Sequence, residues 1–415
     1  MSVWKDDYII MRENQINFGE LVYDIDDRAQ NIVTICLTED CNLRCKYCYM
    51  KGKNSFKKID FKTAAKAVDC ILEAKNIYNK NSVIWDFIGG EPFLEIELLD
   101  RVSDYIKKRM FELLHPWGKN YKFRILTNGI LYGNEKVQKY IDKNRKNLTI
   151  GISIDGNKIK HDLQRIYSNG RGSYDDVIKN VPLWLSQFEN TYSKTTFAHD
   201  DLPYVKDSII HLWELGIKRI SANIVFEDVW TKSDPTIFEN QLRLLADYII
   251  EKGIWDKFGY DVKFFNPTIG FPLSNKFTNN TYCGAGIEEI TVDCDGNFYP
   301  CIRFLDFSLS KNKSITIGNI KTGILKEKLN IFKCLTRNKV DPSTCKKCKV
   351  RSGCLTCAGL NYDESTQEPL FKRTTYNCEM HKANVRAVEY FWDKVGTQLV
   401  SQDNPREIAK SKYIG

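Results

Sequence analysis

Cysteines 41, 45 and 48 form a C-x3-C-x2-C run inside CLTEDCNLRCKYCYM, residues 36 to 50. Three thiolates from one short loop do not complete a structural zinc site, which takes four ligands, commonly as two separated C-x2-C pairs. Closely spaced thiolates also hold iron–sulfur clusters, and a [4Fe–4S] cluster held by three of them leaves one iron open to another molecule. Cys36 is a candidate fourth ligand, but it lies in an apolar, β-branched segment where burial alone accounts for it. From the loop by itself, zinc and iron–sulfur both stand.

The other cysteines gather far away. Cys283, Gly296 and Cys301 make C-x12-G-x4-C; Cys345, Cys348, Cys354 and Cys357 make C-x2-C-x5-C-x2-C; Cys378 follows alone. The chain has 14 cysteines in 415 residues. Disulfides are rare in the cytoplasm, so metal or redox chemistry is the default for such a set there. A zinc ribbon at 345–357 is the bland alternative, although five residues between its pairs is a short spacing. Cys70 and Cys334 fall in helical patterns and read as core residues. Cys294 falls in a hairpin strand and reads as structural.

Regular elements must position these loops. NIVTICL (31–37) is a short, β-branched, apolar strand, and the cysteine run follows it directly. Residues 60–78 have helical spacing, with Ala65, Val68, Ile71 and Leu72 on one side. Strands follow at 82–90, 121–129, 148–156, 191–199 and 217–226, with helices near 95–114, 134–143, 160–189 and 203–215 between them. Apolar strands alternating with helices indicate a parallel sheet with crossover helices. The fold class is therefore α/β, a partial (β/α)6 TIM-like barrel. Functional loops belong at the C-terminal ends of such strands. The cysteine run, GGEP (89–92), TNG (127–129) and SIDG (153–156) all follow strands, so they should converge on one face. Beyond the barrel, 236–252 is helical and IEEITVDCDGNFYPC (287–301) is a hairpin with an Asp-Gly turn. Residues 379–396 form a last helix. The expected division is an extension at 1–30, the barrel at 31–230, a bridging segment at 231–282, a cysteine-rich domain at 283–380, and a C-terminal helix and tail at 381–415. In the cysteine-rich part, bound metal would stand in for an apolar core.

The bulk properties exclude several classes. The hydrophobic fraction is 42% and no run approaches the roughly 20 apolar residues of a membrane span. The first ten residues lack a signal sequence's basic and apolar regions, which points to the cytoplasm. The net charge of +8 is scattered, with no nucleic-acid motif, so it suits a solvated surface or an acidic electron carrier.

C-x3-C-x2-C after a first strand, with Tyr47 before its last cysteine and GGEP after the second strand, resembles the radical S-adenosylmethionine (radical SAM) family. The resemblance implies S-adenosylmethionine and a [4Fe–4S] cluster held by Cys41, Cys45 and Cys48, the catalytic set. It implies that the fourth iron chelates the cofactor's amino and carboxylate groups. Gly89, Gly90 and Glu91 would serve the amino group, and Ser153 and Arg165 the carboxylate. Arginine suits that task because its planar fork bonds both oxygens; the plain alternative is a surface helix arginine. Asp155 would reach the ribose or cap the next helix. Tyr47 would pack near the adenine or support the loop, and Asn128 would line the pocket. The cofactor supplies the chemistry, a 5′-deoxyadenosyl radical that abstracts hydrogen from unactivated carbon.

The C-terminal cysteines resemble the SPASM extension of that family, implying two auxiliary [4Fe–4S] clusters and three in all. The inner cluster would take Cys283, Cys301 and Cys357, and the outer Cys345, Cys348, Cys354 and Cys378. Two features depart from the pattern: only Leu355 and Thr356 separate the last cysteine pair, and Gly284–Glu289 holds no cysteine. The inner set thus lacks a fourth thiolate, and its open iron would favour a thiol substrate.

The resemblance extends to maturases of ribosomally made precursor peptides, whose reactions include thioether and carbon–carbon cross-links. A thioether from cysteine to carbon is expected here, with a flavodoxin- or ferredoxin-type reductant. About 30 residues before the first strand are too few for the leader-binding domain many such maturases carry. The rival enzyme is an anaerobic sulfatase-maturating enzyme making formylglycine. The rival from another class is a non-catalytic electron-transfer or zinc protein. No catalytic base is assigned among Asp293, Asp295, Tyr299 and Arg303.

Overall fold

In the computed structural model the described residues are 18–19, 30–51, 55–74, 80–189, 191–365, 372–399 and 404–414. The expected extension at 1–30 therefore lies almost wholly outside them.

Six parallel strands carry the fold: β1 (Asn31–Cys36), β2 (Val83–Ile88), β3 (Tyr121–Thr127), β4 (Leu148–Ser153), β5 (Tyr192–Phe197) and β6 (Arg219–Ile224). Each pairs in parallel with the next. Every residue of β1 is buried, as expected for a strand covered on both faces. Helices between the strands supply that cover. The first, Phe61–Glu73, starts at Asp60, whose side chain accepts from the Thr63 amide. It buries Ala64, Ala67, Val68, Ile71 and Leu72. Ala64 and Ala67, not Ala65, complete the apolar stripe with Val68, Ile71 and Leu72, because these positions follow the i, i+3, i+4, i+7, i+8 spacing and Ala65 lies off it. The helix ends before the expected residue 78, and 75–79 lie outside the described residues.

The sheet does not stop at six strands. It runs β11-β10-β9-β8-β1-β2-β3-β4-β5-β6-β7. A two-residue strand, β7 (Asp261–Val262), extends one edge beside β6. On the other edge β8 (Glu289–Val292) lies parallel to β1, with Val33 opposite Ile290. The expected hairpin forms: β9 (Asn297–Tyr299) returns antiparallel to β8. Gly296 takes φ +79° in its turn, and Asp293 accepts from the Asp295 and Asn297 amides. β10 (Gly318–Asn319) and β11 (Gly323–Ile324) complete a meander. The cysteine-rich region thus continues the barrel's own sheet.

Helices Asp234–Glu251 and Cys378–Gly396 pack together, with Tyr390 donating to Asp247 at 2.7 Å. Phe391 of the second helix stacks near Phe265 and Phe18. Among the described residues between 300 and 377 the helices are short, and the longest is Lys326–Lys333. Cys334, which caps its end, is exposed, which corrects the expectation of a core residue: two positions past the buried Phe332, it lies on the helix side away from Leu329 and Phe332. Cys70 is half-buried, with its thiol toward the Ile320 carbonyl. Among the described residues no helix is long and apolar enough to cross a membrane.

Candidate active site

Because β1 to β4 run the same way, the loops after them meet. The cysteine loop and the Gly89-Gly90 loop touch through their backbones: the Gly90 amide donates to the Thr38 carbonyl and the Glu91 amide to the Asp40 carbonyl, both at 2.8 Å. A Cβ on Gly90 would lie 1.7 Å from the Asp40 carbonyl oxygen, so only glycine permits this approach. Glu91 is buried and fully engaged. Its carboxylate accepts from the Phe93 amide, the Thr127 hydroxyl and the Asn128 amide at 3.1, 2.7 and 2.8 Å. Its acidity is nevertheless weakened, since burial outweighs those donors. Glu91 thereby ties the loop after β2 to the loop after β3. Asn128 in turn donates to Asn42 at 2.7 Å and faces the Cys41 sulfur at 4.0 Å.

These loops enclose a cavity of about 340 Å³. Cys41, Cys45 and Cys48 line it together with Gly89, Gly90, Glu91, Asn128, Ser153, Arg165 and Tyr47. Arg165 is therefore no surface arginine. Its Nε donates to Asp155 at 3.0 Å, and its guanidinium lies 5.4 Å from the centre of the Tyr47 ring. Asp155 is fully buried and accepts from the Tyr47 hydroxyl, Arg165 and the Thr196 amide. Lys160, also fully buried, pairs with Asp155 at 3.3 Å and Asp201 at 2.8 Å. Burial opposes ionisation of Asp155, but Arg165 and Lys160 hold its carboxyl well below the usual range. Asp155 is enclosed, and the cap of the next helix belongs to Asn157.

His161 and Ser173 hold Arg165 from behind. The Asp155 amide donates to His161 Nδ1 at 3.4 Å, so the ring proton sits on Nε2, 3.0 Å from the Ser173 oxygen. Ser173 donates onward to the Arg165 carbonyl at 2.8 Å. Burial pushes the His161 imidazole down to about 3.

The far side of the cavity comes from β5, β6 and the C-terminal region: Lys194, Asn223, Glu227, Arg303 and Cys357. Arg303 donates to Glu227 at 2.6 Å and lies over the Tyr49 ring at 5.5 Å. Lys194, Asn223 and Glu227 went unnamed in the sequence reading, because isolated polar residues at strand ends carry no spacing signal. Of the four residues left open as bases, Asp293 and Tyr299 bond each other within the hairpin, and Asp295 meets Lys57 at the surface. Only Arg303 lines the cavity.

Cys357 lines this cavity, and Cys283 and Cys301 stand close enough to Cys357 that its charge raises both of their thiols. Burial, the larger cause, pushes Cys283 up to about 11 and raises Cys301 further. Cys294 turns away, its thiol toward the Cys36 and Lys57 carbonyls at 3.5 and 3.7 Å. Cys345, Cys348, Cys354 and Cys378 line a separate cavity of about 410 Å³ with Arg351, Arg373 and His381. Arg373 Nη2 approaches the Cys354 sulfur at 2.8 Å.

Among the described residues no three Cys, His, Asp or Glu side chains converge as they would on one metal ion. A [4Fe–4S] cluster makes a different demand, one ligand to each iron, and takes thiolates spread around a void. The first cysteine set meets it: three thiols, a close backbone wall and a buried arginine fork around a cavity of ordinary ligand size.

Residues 35–225 match the radical SAM superfamily. An uncharacterised protein of Methanocaldococcus jannaschii, MJ0907, is 34% identical over 190 residues, 46% of this chain and 60% of its own length. A cysteine-type anaerobic sulfatase-maturating enzyme of Clostridium novyi is 25% identical over 372 residues, 83% of this chain and 91% of the relative. The antilisterial bacteriocin subtilosin biosynthesis protein AlbA of Bacillus subtilis is 24% identical over 292 residues, 69% of this chain and 56% of the relative. The solved structure of native anSMEcpe with bound AdoMet and Cp18Cys peptide superposes with a TM-score of 0.66 at 20% identity, covering 88% of this chain and 99% of that one.

Proposed function

We propose that this chain, whose residues 35–225 match the radical SAM superfamily, is an enzyme that matures a ribosomally made precursor peptide by forming a thioether between a cysteine sulfur and a carbon. The observation that supports this reading is the position of Cys357: it opens onto the cavity lined by Cys41, Cys45 and Cys48. A peptide thiol held at the inner cysteine set would then lie beside the carbon that loses hydrogen.

S-adenosylmethionine on a [4Fe–4S] cluster at Cys41, Cys45 and Cys48 would supply the hydrogen-abstracting radical. The protein's part is binding, orientation and exclusion of water. Arg165, fixed from one side by Asp155 and from the other by Ser173, presents a positive fork to the cofactor's carboxylate, with Ser153 beside it. Gly89 and Gly90, packed against the cysteine loop where a side chain would clash, line the same cavity, and their backbone would serve the amino group. Arg303 and Glu227, bonded to each other, form the polar wall facing a peptide backbone. Two auxiliary [4Fe–4S] clusters would occupy the inner and outer cysteine sets. Lys346, Lys347 and Lys349 are exposed beside the outer set, which suits an acidic flavodoxin or ferredoxin as reductant.

A second reading, oxidation of a protein cysteine or serine to formylglycine, is favoured by the likeness along nearly the whole length of a sulfatase-maturating enzyme. One experiment separates the two. The enzyme is reconstituted anaerobically with iron, sulfide, S-adenosylmethionine and reductant, and given the cysteine-bearing peptide encoded beside it. Loss of two hydrogens with loss of one alkylatable thiol is the expected result. Loss of two hydrogens with every thiol free means a carbon–carbon link. No change on that peptide, with oxidation of a sulfatase-motif peptide, overturns the proposal.

A further inference from the structure

Three cysteines face one another at the inner site, and a cluster with four irons has one position more. The candidates for that position can be examined by place. Cys294 is committed elsewhere: it sits in the β8–β9 turn with its thiol toward β1 and the Lys57 carbonyl. Cys36 lies beneath it, fully buried in β1. One other metal-binding side chain is carried into the site by the hairpin itself.

In the β8–β9 ladder Val292 stands opposite Phe298 and Thr291 opposite Tyr299. Beyond that pair the ladder opens, because the Gly286 amide enters between the Glu289 and Pro300 carbonyls, but strand alternation keeps Glu289 on the face of Thr291 and Cys301 on the face of Tyr299. Cys301 keeps extended backbone, φ −164° and ψ 173°, so the strand direction persists that far. Thr291 and Tyr299 are directly opposed and share a face, so Glu289 and Cys301 lie on one side of the hairpin. The preceding loop folds Cys283 back onto the same point. The Gly284 carbonyl accepts from the Ile287, Glu288 and Glu289 amides at 2.9, 3.0 and 2.9 Å. The Gly286 amide donates to the carbonyls of both Glu289 and Pro300, at 3.0 and 2.9 Å. Cys357 arrives from the other side, at the head of helix Ala358–Glu364. That helix presses on the residues after Cys301, since a Cβ on Gly359 would lie 2.7 Å from the Arg303 carbonyl oxygen. In keeping with this arrangement, the Glu289 charge adds to burial in raising both Cys283 and Cys301.

We propose that Glu289 is the fourth protein ligand of the inner auxiliary cluster, placing one carboxylate oxygen on the iron that Cys283, Cys301 and Cys357 leave open. This rests on the reading that an auxiliary cluster occupies that site. A carboxylate oxygen is a harder donor than a thiolate and holds a sulfur-bound iron less tightly. It therefore protects the cluster at rest and yields to a substrate cysteine. In that exchange the iron–oxygen bond breaks and an iron–sulfur bond forms. The substrate thiol's proton passes to the departing Glu289 carboxylate, and no electron moves. The residue that closes the site thus also deprotonates the thiol that opens it.

The test uses the full chain carrying Cys41→Ala, Cys45→Ala and Cys48→Ala, so that only auxiliary clusters form, in wild-type Glu289, Glu289→Cys and Glu289→Ala versions. Iron and sulfide are counted, and the reduced proteins are compared by electron paramagnetic resonance with and without 2-mercaptoethanol. The expected iron content is about eight per chain for wild-type Glu289 and Glu289→Cys. The expected spectra differ between these two in one of the two signals, and 2-mercaptoethanol shifts that signal in wild-type Glu289 and not in Glu289→Cys. Glu289→Ala should show the thiol-shifted signal at lower 2-mercaptoethanol, or lose the inner iron. Identical spectra and thiol responses for wild-type Glu289 and Glu289→Ala at full iron content overturn the assignment of Glu289. About four irons in every version instead overturn the reading that an auxiliary cluster occupies the inner site.

Discussion

The Tyr47 hydroxyl and the Arg165 guanidinium meet on one atom, Asp155 Oδ2. Tyr47 belongs to the cysteine loop and Arg165 to the segment after the fourth strand, so one carboxylate locks the loop to the arginine that faces the cofactor. Replacing Asp155 by Asn keeps the shape and removes the charge, leaving Arg165 and Lys160 underpaired in a buried site. The expected cost is about 3 kcal/mol of stability, with weaker S-adenosylmethionine binding. Thermal melting and calorimetric titration check both, and unchanged binding would mean that Arg165 is held by its backbone alone.

Arg165→Lys keeps a positive charge but loses the fork. Binding of S-adenosylmethionine should weaken about tenfold or more while the melting temperature stays close to wild type. A melting loss without an affinity loss would make Arg165 a structural residue.

His161 gives the apoprotein a pH signature. Its folded value of about 3 lies below the ordinary value near 6.5. The unfolded chain therefore takes up this proton first. The stabilisation is complete above about pH 6.5 and drains away as pH falls toward 3. Asp155 is also depressed, but its contribution disappears only below about pH 4. Melting temperature should fall more steeply for wild type than for His161→Gln between pH 6.5 and 4. Parallel slopes would assign the loss to other groups.

Cys294→Ser should leave the iron content unchanged, because the thiol bonds backbone carbonyls of Cys36 and Lys57. Cys283→Ala should lower it. If the two variants lose iron equally, Cys294 belongs to a cluster.

Arg373→Met removes a donor 2.8 Å from the Cys354 sulfur. Hydrogen bonds to cluster sulfurs raise reduction potential, so a redox titration should find one auxiliary signal at lower potential. An unmoved signal would place Arg373's role in its pairing with Asp341.

The barrel was legible because its strands are uninterrupted apolar runs, each followed at once by a polar loop. The pairing of β8 with β1 was not. Four residues of a hairpin carry no mark of a partner lying far back in the chain. The cysteine loop and the Gly-Gly loop were found by spacing, while Glu227, Lys194 and Asn223 stand singly and became visible only when β5 and β6 set them around one cavity. Glu91 illustrates a further limit. Its motif marked the site, but its side chain spends both oxygens on Phe93, Thr127 and Asn128, a bracing role that only folded contacts reveal.

The seating of β1 between β2 and β8 also dictates an order of assembly. β1 leaves the ribosome well before one of its two neighbours, which is made only when residues 289–292 emerge. Until then one backbone edge of this wholly buried strand has no partner, a surface that invites pairing with other chains. Closing so long a loop is slow, so newly made protein needs shelter during that interval. A chain interrupted between residues 230 and 289 would keep that sticky edge permanently.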